Sequence, residues 1–507
     1  MNNSVFDVAI LGAGPGGLSA AARAAHRKVA HVVLEASDKH ANTIQRYQRL
    51  KHVMSEPGIL PLRSDIQFSA GRREAVLESW HRGITERGVN IKYGAQVTGI
   101  TGRNGDFRIQ LSSGGAVGAR AIILALGVQG NPRKLGVPGE NLPFVTNTLE
   151  AADAHKGETI IIVGAGDAAI EDAMSLSRQN RVVMINRGTG FSRAKDANAN
   201  QIGRAIKNGQ LECFYESSIK GIQAVASGAP AKVTVETANG PQVIACHMII
   251  TRLGAIPSRK FVESIGVQFV GPESDALPDL TPRFESTVPG VFIIGALAGY
   301  PLIKQAMNQG YEVIEHLLGN AVAPADHDIL ARKLGALRFA GGKVDVDQAL
   351  GAIQNRIRMF RDVKPMALRE LAIVSRIVAP KVGRTLFTRG DYSTALFNVL
   401  DGEVHLYADS TRLMTLRRGQ VFGEMSLLSG RPHDLTAVAG ERCVLLESPQ
   451  SAIRKILRTE VAVRDYLDKT YVLRALKLFM LAHAAPETIH KLAATAKIHR
   501  VAAGETL

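Results

Sequence analysis

One pattern occurs twice in this sequence and constrains its fold more than any other feature: an apolar strand, a glycine-rich turn and a helix of small residues. The first copy joins the apolar run 5–11 to the turn Gly12-Ala-Gly-Pro-Gly-Gly17. The second joins the run 159–163 to the turn Gly164-Ala-Gly-Asp-Ala-Ala169. Such glycines permit a tight bend and a close backbone approach to a pyrophosphate, while the next helix offers unpaired N–H groups. The sequence therefore predicts two dinucleotide-binding units in one chain.

The residues that follow the second strand of each unit differ in charge. In the first unit the strand 31–34 ends on Glu35, a carboxylate placed to accept hydrogen bonds from a ribose. In the second unit Asn186 and Arg187 follow the corresponding strand, with Arg193 further on. Two guanidinium groups suit a 2′-phosphate because their hydrogen bonds are charge-assisted and bidentate. The sequence therefore favours NADPH over NADH at the second turn, with ordinary surface arginines as the alternative.

Composition sets outer limits on the function. With 507 residues, of which 46% are apolar and 21% charged, the chain is long enough for several domains that each bury a core. We expect a cytoplasmic protein, because no signal-peptide pattern opens the chain and no run reaches about 18 apolar residues. Cys213, Cys246 and Cys443 lie far apart in sequence, which predicts neither a disulfide framework nor a metal site.

The chain is strongly basic, with a formal net charge of +15. A solvated basic surface accounts for such a charge, and an acidic electron-carrier protein as partner is the next interpretation. Nucleic acid is the least favoured partner, because the sequence has neither zinc-finger spacing nor a helix-turn-helix pattern.

Further strand and helix signals divide the chain into domains. A helix is predicted over 72–87, and strands over 107–111, 232–236 and 243–250. The predicted boundaries are 1–150 together with 255–320 for the first dinucleotide-binding domain, 151–254 for the second, 321–345 for a linker, and 346–470 for a glycine-punctuated domain of short strands.

An internal repeat marks the end of the chain. Leu371-Ala and Gly383-Arg-Thr-Leu386 are echoed by Leu492-Ala and Gly504-Glu-Thr-Leu507 at a constant offset. Residues 471–507 are therefore predicted to begin a second copy of the β-rich domain, and we expect the natural protein to continue past Leu507.

The two turns and the residues around them resemble the low-molecular-weight thioredoxin reductase-like flavoproteins, over about residues 5–320. The resemblance implies FAD at the first turn, NADPH at the second, and a homodimer. The residues it implies for FAD are Gly12, Gly14, Pro15, Gly16, Gly17, Glu35, Gly127, Gly295, Ala296, Lys304, Gln305 and Ala306. Those implied for NADPH are Gly164, Gly166, Asp167, Ala168, Asn186, Arg187 and Arg193.

Two positions depart from that family's pattern. Thioredoxin reductases carry a Cys-x-x-Cys pair just before the second turn, whereas residues 147–155 of this chain contain no cysteine. Because disulfide exchange needs a thiolate, the usual reduction of thioredoxin is excluded for these residues. The second departure is Ala296, where the family has an aspartate that contacts the flavin's ribityl chain.

A second resemblance covers about residues 359–457, which are similar to cyclic-nucleotide-binding domains. The run Val421-Phe-Gly-Glu-Met-Ser-Leu-Leu428 matches that family's phosphate-binding cassette. The implied pocket consists of Gly423, Glu424, Met425, Ser426, Arg431 and His433. His433 stands where the family has an arginine, so the domain is predicted either to bind a cyclic nucleotide or to serve as a docking or dimerisation surface.

These observations predict an α/β chain with two Rossmann-like dinucleotide-binding domains, the NADPH domain inserted in a discontinuous FAD domain, followed by a β-roll cyclic-nucleotide-binding-like domain. The predicted function is an FAD-dependent NADPH oxidoreductase that lacks a redox dithiol. A ferredoxin-type iron–sulfur protein is the favoured acceptor, since ferredoxin-NADP reductases of this type also lack the cysteine pair. The alternatives are a reductase of low-molecular-weight disulfides, similar to bacillithiol disulfide reductase, and a nucleotide sensor with little turnover. The sequence assigns no catalytic side chain.

Overall fold

The computed structural model describes residues 5–128, 132–191, 194, 196–226, 228–254, 258–271, 276–335, 337, 345–392, 395–429, 431–480 and 485–496. The chain forms two compact units. The N-terminal unit extends to Val322, and the C-terminal unit begins at Ala323. No helix in these ranges has the length and apolarity needed to cross a membrane.

The first part of the N-terminal unit is built around a mainly parallel sheet. Its elements are β1 (Val5–Leu11), α1 (Pro15–His26), β2 (His31–Leu34), α2 (Asn42–Gln45), β3 (His52–Val53), β4 (Gly71–Arg72), α3 (Arg73–Arg87), β5 (Ile91–Lys92), β6 (Val97–Arg103), β7 (Asp106–Leu111), β8 (Ala116–Leu124) and β9 (Val145–Thr146). The sheet order is β5-β2-β1-β8-β7-β6. The first half of β8 alternates between exposed and buried residues beside β7, whereas Ile122, Ile123 and Leu124 are fully buried. Continuous burial is typical of a strand covered on both faces.

The second part, which contains the second glycine turn, has its own parallel sheet. Its elements are β10 (Thr159–Val163), α4 (Asp167–Leu176), β11 (Arg181–Ile185), α5 (Asp196–Lys207), β12 (Glu212–Phe214), β13 (Ser218–Ala224), β14 (Ala231–Thr237), β15 (Gly240–Cys246) and β16 (Met248–Thr251). The parallel sheet has the order β12-β11-β10-β16-β9, and β13-β14-β15 form an antiparallel sheet.

The single strand predicted over 243–250 is in fact two strands in two sheets. β15 belongs to the antiparallel sheet, and β16 belongs to the parallel one. His247 separates them; its N–H donates to the Thr159 carbonyl at 2.8 Å and its Nδ1 accepts from the Thr159 N–H at 3.0 Å. Two hydrogen bonds to the start of β10 turn the chain from one sheet into the other, which periodicity along the sequence cannot reveal.

The chain then returns to the first sheet through α6 (Arg259–Ser264), β17 (Val291–Ile293) and α7 (Ile303–Leu317). β17 pairs in parallel with the buried end of β8, so the part from β10 to β16 is an insertion in a discontinuous domain, as predicted. Strand β9, which falls in the predicted first domain, pairs with β16 and so belongs to the inserted sheet. Helix α7 packs closely on α1. A Cβ atom on Gly310 would lie 2.3 Å from the Gly16 carbonyl oxygen, and Ser19 Oγ donates to the Met307 carbonyl at 2.6 Å. Glycine at position 310 is what permits this close approach.

The C-terminal unit combines helices with two antiparallel sheets. Its elements are α8 (His327–Leu334), α9 (Val346–Arg356), α10 (Pro365–Val374), β18 (Arg376–Val378), β19 (Thr385–Phe387), β20 (Ala395–Asp401), β21 (Glu403–Ala408), β22 (Thr411–Arg417), β23 (Val421–Phe422), α11 (Glu424–Ser429), β24 (Thr436–Ala439), β25 (Val444–Pro449), α12 (Gln450–Thr459), α13 (Val461–Ala475) and α14 (Pro486–Thr495). The sheet orders are β18-β25-β20-β23 and β19-β24-β21-β22, the two halves of a β-roll.

Two predictions concern the residues on either side of this β-roll: a linker before it and the start of a second copy after it. The predicted linker 321–345 contains helix α8, whose Ile329, Leu330 and Leu334 are buried, so three apolar residues at helical spacing join the core there. The strand predicted to start at Gly504 lies outside the described residues. Residues 485–496 consist of α14 and its flanking positions.

Candidate functional site

The first glycine turn lies between the carboxyl end of β1 and helix α1. Gly12 has a φ of +103°, and a Cβ atom there would lie 2.6 Å from the Ala125 carbonyl oxygen. A Cβ atom on Gly17 would lie 1.9 Å from the Gly12 carbonyl oxygen, whereas one on Gly14 would meet no atom within 4 Å. Gly14 caps α1 without a side-chain hydrogen bond, and Pro15 follows. The turn is therefore closed toward the protein and open outward, with uncapped N–H groups suited to a pyrophosphate.

Glu35 ties the end of β2 to this turn. Its Oε2 accepts from the Ala13 N–H at 2.7 Å, and its Oε1 accepts from the Ser37 N–H at 2.9 Å. The side chain is buried. A carboxylate has about four lone-pair positions, so capacity remains to accept hydrogen bonds from ribose hydroxyls. Turn and carboxylate together fit the adenosine diphosphate part of a dinucleotide.

The other end of this site is formed around the start of α7. Gly295, at a φ of +73°, donates its N–H to Gln309 Oε1 at 2.7 Å. Ala296 offers only a methyl group. Lys304 is buried and donates through Nζ to the Pro57 carbonyl at 3.0 Å, and burial lowers the pKa of its ammonium group.

Helix α7 has no side-chain cap at its N-terminus, where Gln305 and Ala306 are buried beside Lys304. An uncapped helix start with a nearby ammonium group stabilises negative charge. These residues fit a flavin dinucleotide, whose reduced ring carries such charge. Gly127, at a φ of +62°, follows the buried end of β8.

The second turn opens onto a cleft with a volume of about 1030 Å³. A Cβ atom on Gly164 would lie 2.4 Å from the Arg252 carbonyl oxygen, while one on Gly166 would meet no atom within 4 Å. This volume matches the upper range of small-molecule and cofactor pockets. Both parts of the N-terminal unit line the cleft, through Asn42, Thr43, Arg46, Gln48 and Lys51 on one side and Gly164, Ala165, Gly166, Asp167, Ala168, Asn186, Arg187 and Arg252 on the other.

The residues predicted to recognise the 2′-phosphate of NADPH differ in how far their side chains are exposed. Asn186 is 3% exposed; its Oδ1 accepts from the Gly188 N–H at 2.9 Å, and its Nδ2 donates to the Gly190 carbonyl at 3.0 Å. Asn186 therefore shapes the loop after β11. Arg187 is exposed and lines the cleft. Arg193 lies outside the described residues.

A buried ionic network, which sequence reasoning missed, lies on the floor of the cleft. Asp172 is 2% exposed; its carboxylate accepts from Arg252 Nε and from Gln48 Nε2, each at 2.6 Å. Burial raises the pKa of Asp172, and the Arg252 guanidinium opposes this shift. Arg252 also donates to the Asn147 carbonyl at 2.8 Å. One signal could have found Arg252: it follows strand β16 as Arg187 follows β11, and ligand sites form at the carboxyl ends of parallel strands.

None of the three cysteines is among the described residues that line this cleft. Cys213 is in β12 and Cys246 in β15, and burial raises the pKa of each thiol to about 12. Cys443, in the C-terminal unit, has its pKa raised by burial to about 11. A thiol with such a pKa is protonated at neutral pH and therefore unreactive in disulfide exchange.

The residues predicted for a cyclic nucleotide are only partly brought together. A cavity of about 30 Å³ in the C-terminal unit is lined by Phe387, Leu406, Phe422, Gly423, Glu424, Met425, His433, Asp434, Leu435 and Arg474. Arg431 is exposed and, like Ser426, does not line this cavity. Arg474, on α13, was not predicted as a pocket residue.

Two protein-family models match the chain. Residues 9–295, more than half of the chain, match the pyridine nucleotide-disulphide oxidoreductases. Residues 380–460 match the cyclic nucleotide-binding domain.

Individual proteins match the N-terminal unit. A ferredoxin–NADP reductase of Picrophilus torridus is 26% identical over 323 residues, which cover 62% of this chain and 93% of that protein. A bacillithiol disulfide reductase of Staphylococcus aureus superposes with a TM-score of 0.54 at 20% identity, covering 62% of this chain and 99% of that one. Thioredoxin reductase of Lactococcus lactis gives a TM-score of 0.51 at 21% identity, covering 62% and 98%. The structural likenesses show the fold.

The predicted resemblances, the α/β fold class and the predicted cofactors are thereby confirmed. Each of the two glycine turns has the open outer side that a dinucleotide pyrophosphate needs. This chain belongs to the pyridine nucleotide-disulphide oxidoreductase family and is an FAD-dependent NAD(P)H oxidoreductase of the thioredoxin reductase-like type without the Cys-x-x-Cys pair.

Proposed function

We propose that this chain uses NADPH to reduce a separate iron–sulfur protein of the ferredoxin type. The observation that carries the proposal is the cleft at the second glycine turn: Gly164 and Gly166 line it, and none of the described residues that line it is a cysteine. Electrons must therefore leave to an acceptor other than a dithiol of these residues. The similarity to a ferredoxin–NADP reductase supports an iron–sulfur protein as that acceptor.

Each part of the unit has a defined task in this proposal. The turn at Gly164 and the exposed Arg187 hold the pyrophosphate and 2′-phosphate of NADPH. The turn at Gly12, with Glu35, holds the flavin dinucleotide, and Lys304 supplies positive charge near the start of α7. FAD held by these residues would supply a carrier that can take two electrons as a hydride and pass them on singly. One NADPH then reduces two one-electron acceptors and yields NADP⁺ and a proton.

We predict that NADPH bleaches the flavin band much faster than NADH in anaerobic stopped-flow absorbance. Arg187→Ala should raise the half-saturating NADPH concentration by roughly 10-fold or more, since a hydrogen bond to a charged group contributes about 1.5–3 kcal/mol. The value for NADH should change little. Arg204→Ala, an exposed arginine on α5 that does not line the cleft, is the control. Equal losses with both nucleotides would contradict the role assigned to Arg187.

The acceptor is tested by steady-state NADPH oxidation with a purified bacterial ferredoxin, read out by cytochrome c reduction. We expect ferredoxin-dependent turnover that falls as salt rises, because a +15 chain attracts an acidic partner through screened charges. Turnover with NADPH and a small disulfide alone would instead support the low-molecular-weight disulfide reductase. Tight NADPH binding without turnover of any acceptor would support the sensor.

A further inference from the structure

The cavity of the C-terminal unit is too small for a nucleotide. Its volume is about 30 Å³, enough for one or two water molecules, whereas small-molecule pockets measure roughly 300–1000 Å³. The space is filled by the chain's own side chains, among them Phe387, Phe422 and His433. Residues 380–460 match the cyclic nucleotide-binding domain, but the cavity beside their cassette is too small to hold a nucleotide.

The first side chain that fills the expected nucleotide pocket is Arg474 of helix α13. Its Nη1 donates to Glu424 Oε2 at 2.6 Å, and its Nη2 donates to the Val421 carbonyl at 2.6 Å. The two side chains are 11% and 1% exposed. Among the described residues that line this cavity, Glu424 is the only buried carboxylate, so it is the acceptor that a ribose hydroxyl would need. The guanidinium engages one oxygen of that carboxylate, Oε2, while Oε1 is buried and has no hydrogen-bond partner among the described residues.

The second side chain that fills this pocket is the His433 imidazole. It stacks face to face on Phe387 with ring centroids 3.7 Å apart and an interplanar angle of 7°. Burial lowers the pKa of His433, although Asp391 and Asp434 oppose the shift. A ring packed in this way is a hydrophobic filler rather than an anion ligand.

The charge of the lining also disfavours a cyclic phosphate. Glu424 and the exposed Asp434 are negative, and Arg474 is the one permanent cation among the described residues that line the cavity. That cation is engaged by Glu424 and a backbone carbonyl. A phosphodiester entering the cavity would meet like charge and find no uncommitted guanidinium.

We propose that the C-terminal unit does not bind cyclic nucleotides, because the side chains of Arg474 and His433 occupy the place that the ligand would take. The hydrogen bonds of Arg474 to Glu424 and to the Val421 carbonyl hold α13 on the segment 421–424. The unit is thus a fixed structural element, and the flavin reaction does not respond to cyclic AMP or cyclic GMP. This inference concerns the C-terminal unit and is independent of the proposed acceptor.

The test is isothermal titration of the full chain with cyclic AMP and with cyclic GMP. We expect no saturable binding up to about 1 mM, the weak end of ligand affinities, and no change in thermal midpoint. Saturable binding to the wild-type chain would overturn the proposal. This measurement needs no variant, so it stays decisive if an altered chain fails to fold.

A double variant tests which residues close the pocket. His433→Arg with Arg474→Gln frees Glu424 and adds a cation, and we expect cyclic AMP affinity to improve at least about 10-fold over wild type, into a measurable range. Arg464→Gln on the same helix, whose guanidinium contacts the Leu457 carbonyl, is the matched control and should not bind. A folded double variant that binds no better than wild type would contradict the assignment of His433 and Arg474.

Discussion

Gly17→Ala is expected to abolish stable FAD binding and to destabilise the N-terminal unit by more than about 4 kcal/mol, the range reserved for severe structural conflicts. The added Cβ atom would lie 1.9 Å from the Gly12 carbonyl oxygen, a distance at which one backbone segment must move. Moving it opens the turn that α1 presents to the pyrophosphate. The measurement is the flavin-to-protein absorbance ratio after purification, with a thermal melt of the same sample.

Gly14→Ala is the matched control for this experiment. Its Cβ atom would meet no protein atom within 4 Å, so the fold should be retained with a thermal midpoint close to wild type. Only the approach of the pyrophosphate to the backbone is obstructed, and FAD should bind more weakly but detectably. If Gly17→Ala retained stoichiometric FAD and an unchanged midpoint, the turn would not have the geometry described.

Arg252→Met should destabilise the N-terminal unit by about 3–5 kcal/mol near neutral pH, because it leaves a buried charge without its partner. Asp172 is 2% exposed and would keep only the Gln48 amide as a described side-chain donor. The measurement is urea unfolding followed by circular dichroism. Arg252→Met combined with Asp172→Asn is the control, and it should cost less than the single change because no charge remains buried.

The pH dependence of the same variant has a defined sign. Burial already raises the pKa of Asp172, and removing the guanidinium that opposes this shift raises it further. The folded chain then binds a proton more tightly than the unfolded chain. This contribution to stability is therefore fully present below the unfolded-state pKa, and it is lost as pH rises from there through the folded-state pKa.

We accordingly expect the penalty of Arg252→Met to be smaller at about pH 5 than at about pH 8, whereas the double variant should show no such difference. A pH-independent penalty would mean that the lost packing of the arginine side chain, rather than the unpaired carboxylate, dominates the effect.

Local chemistry in the sequence was enough to predict the two phosphate turns. Gly12, Gly14 and Gly17 are separated by fixed spacings within one bend; Gly12 and Gly17 are required by the backbone geometry of that bend, and Gly14 leaves its outer side open to a pyrophosphate. Glu35 could be predicted for the same reason, since the end of the second parallel strand must lie beside the first turn. The family resemblance predicted that the first domain resumes after the inserted one, and the structure then showed that β17 pairs with β8.

Other features could be found only in the tertiary structure, because they bring together residues that no sequence pattern relates to one another. Asp172 is one of several acidic residues in the sequence, and only the fold brings Gln48 and Arg252 to its carboxylate. The break at His247 depends on hydrogen bonds to Thr159, in a strand far away along the chain.

The C-terminal unit shows most clearly which features follow from the sequence and which need the tertiary structure. Its cassette, residues 421–428, was recognisable from the sequence, and so was the histidine that replaces an arginine. The sequence alone therefore determined the type of domain. Whether its pocket is open was decided by Arg474, fifty residues from Glu424 along the chain, because a buried carboxylate pairs with whichever cation the packing of α13 brings within hydrogen-bond distance.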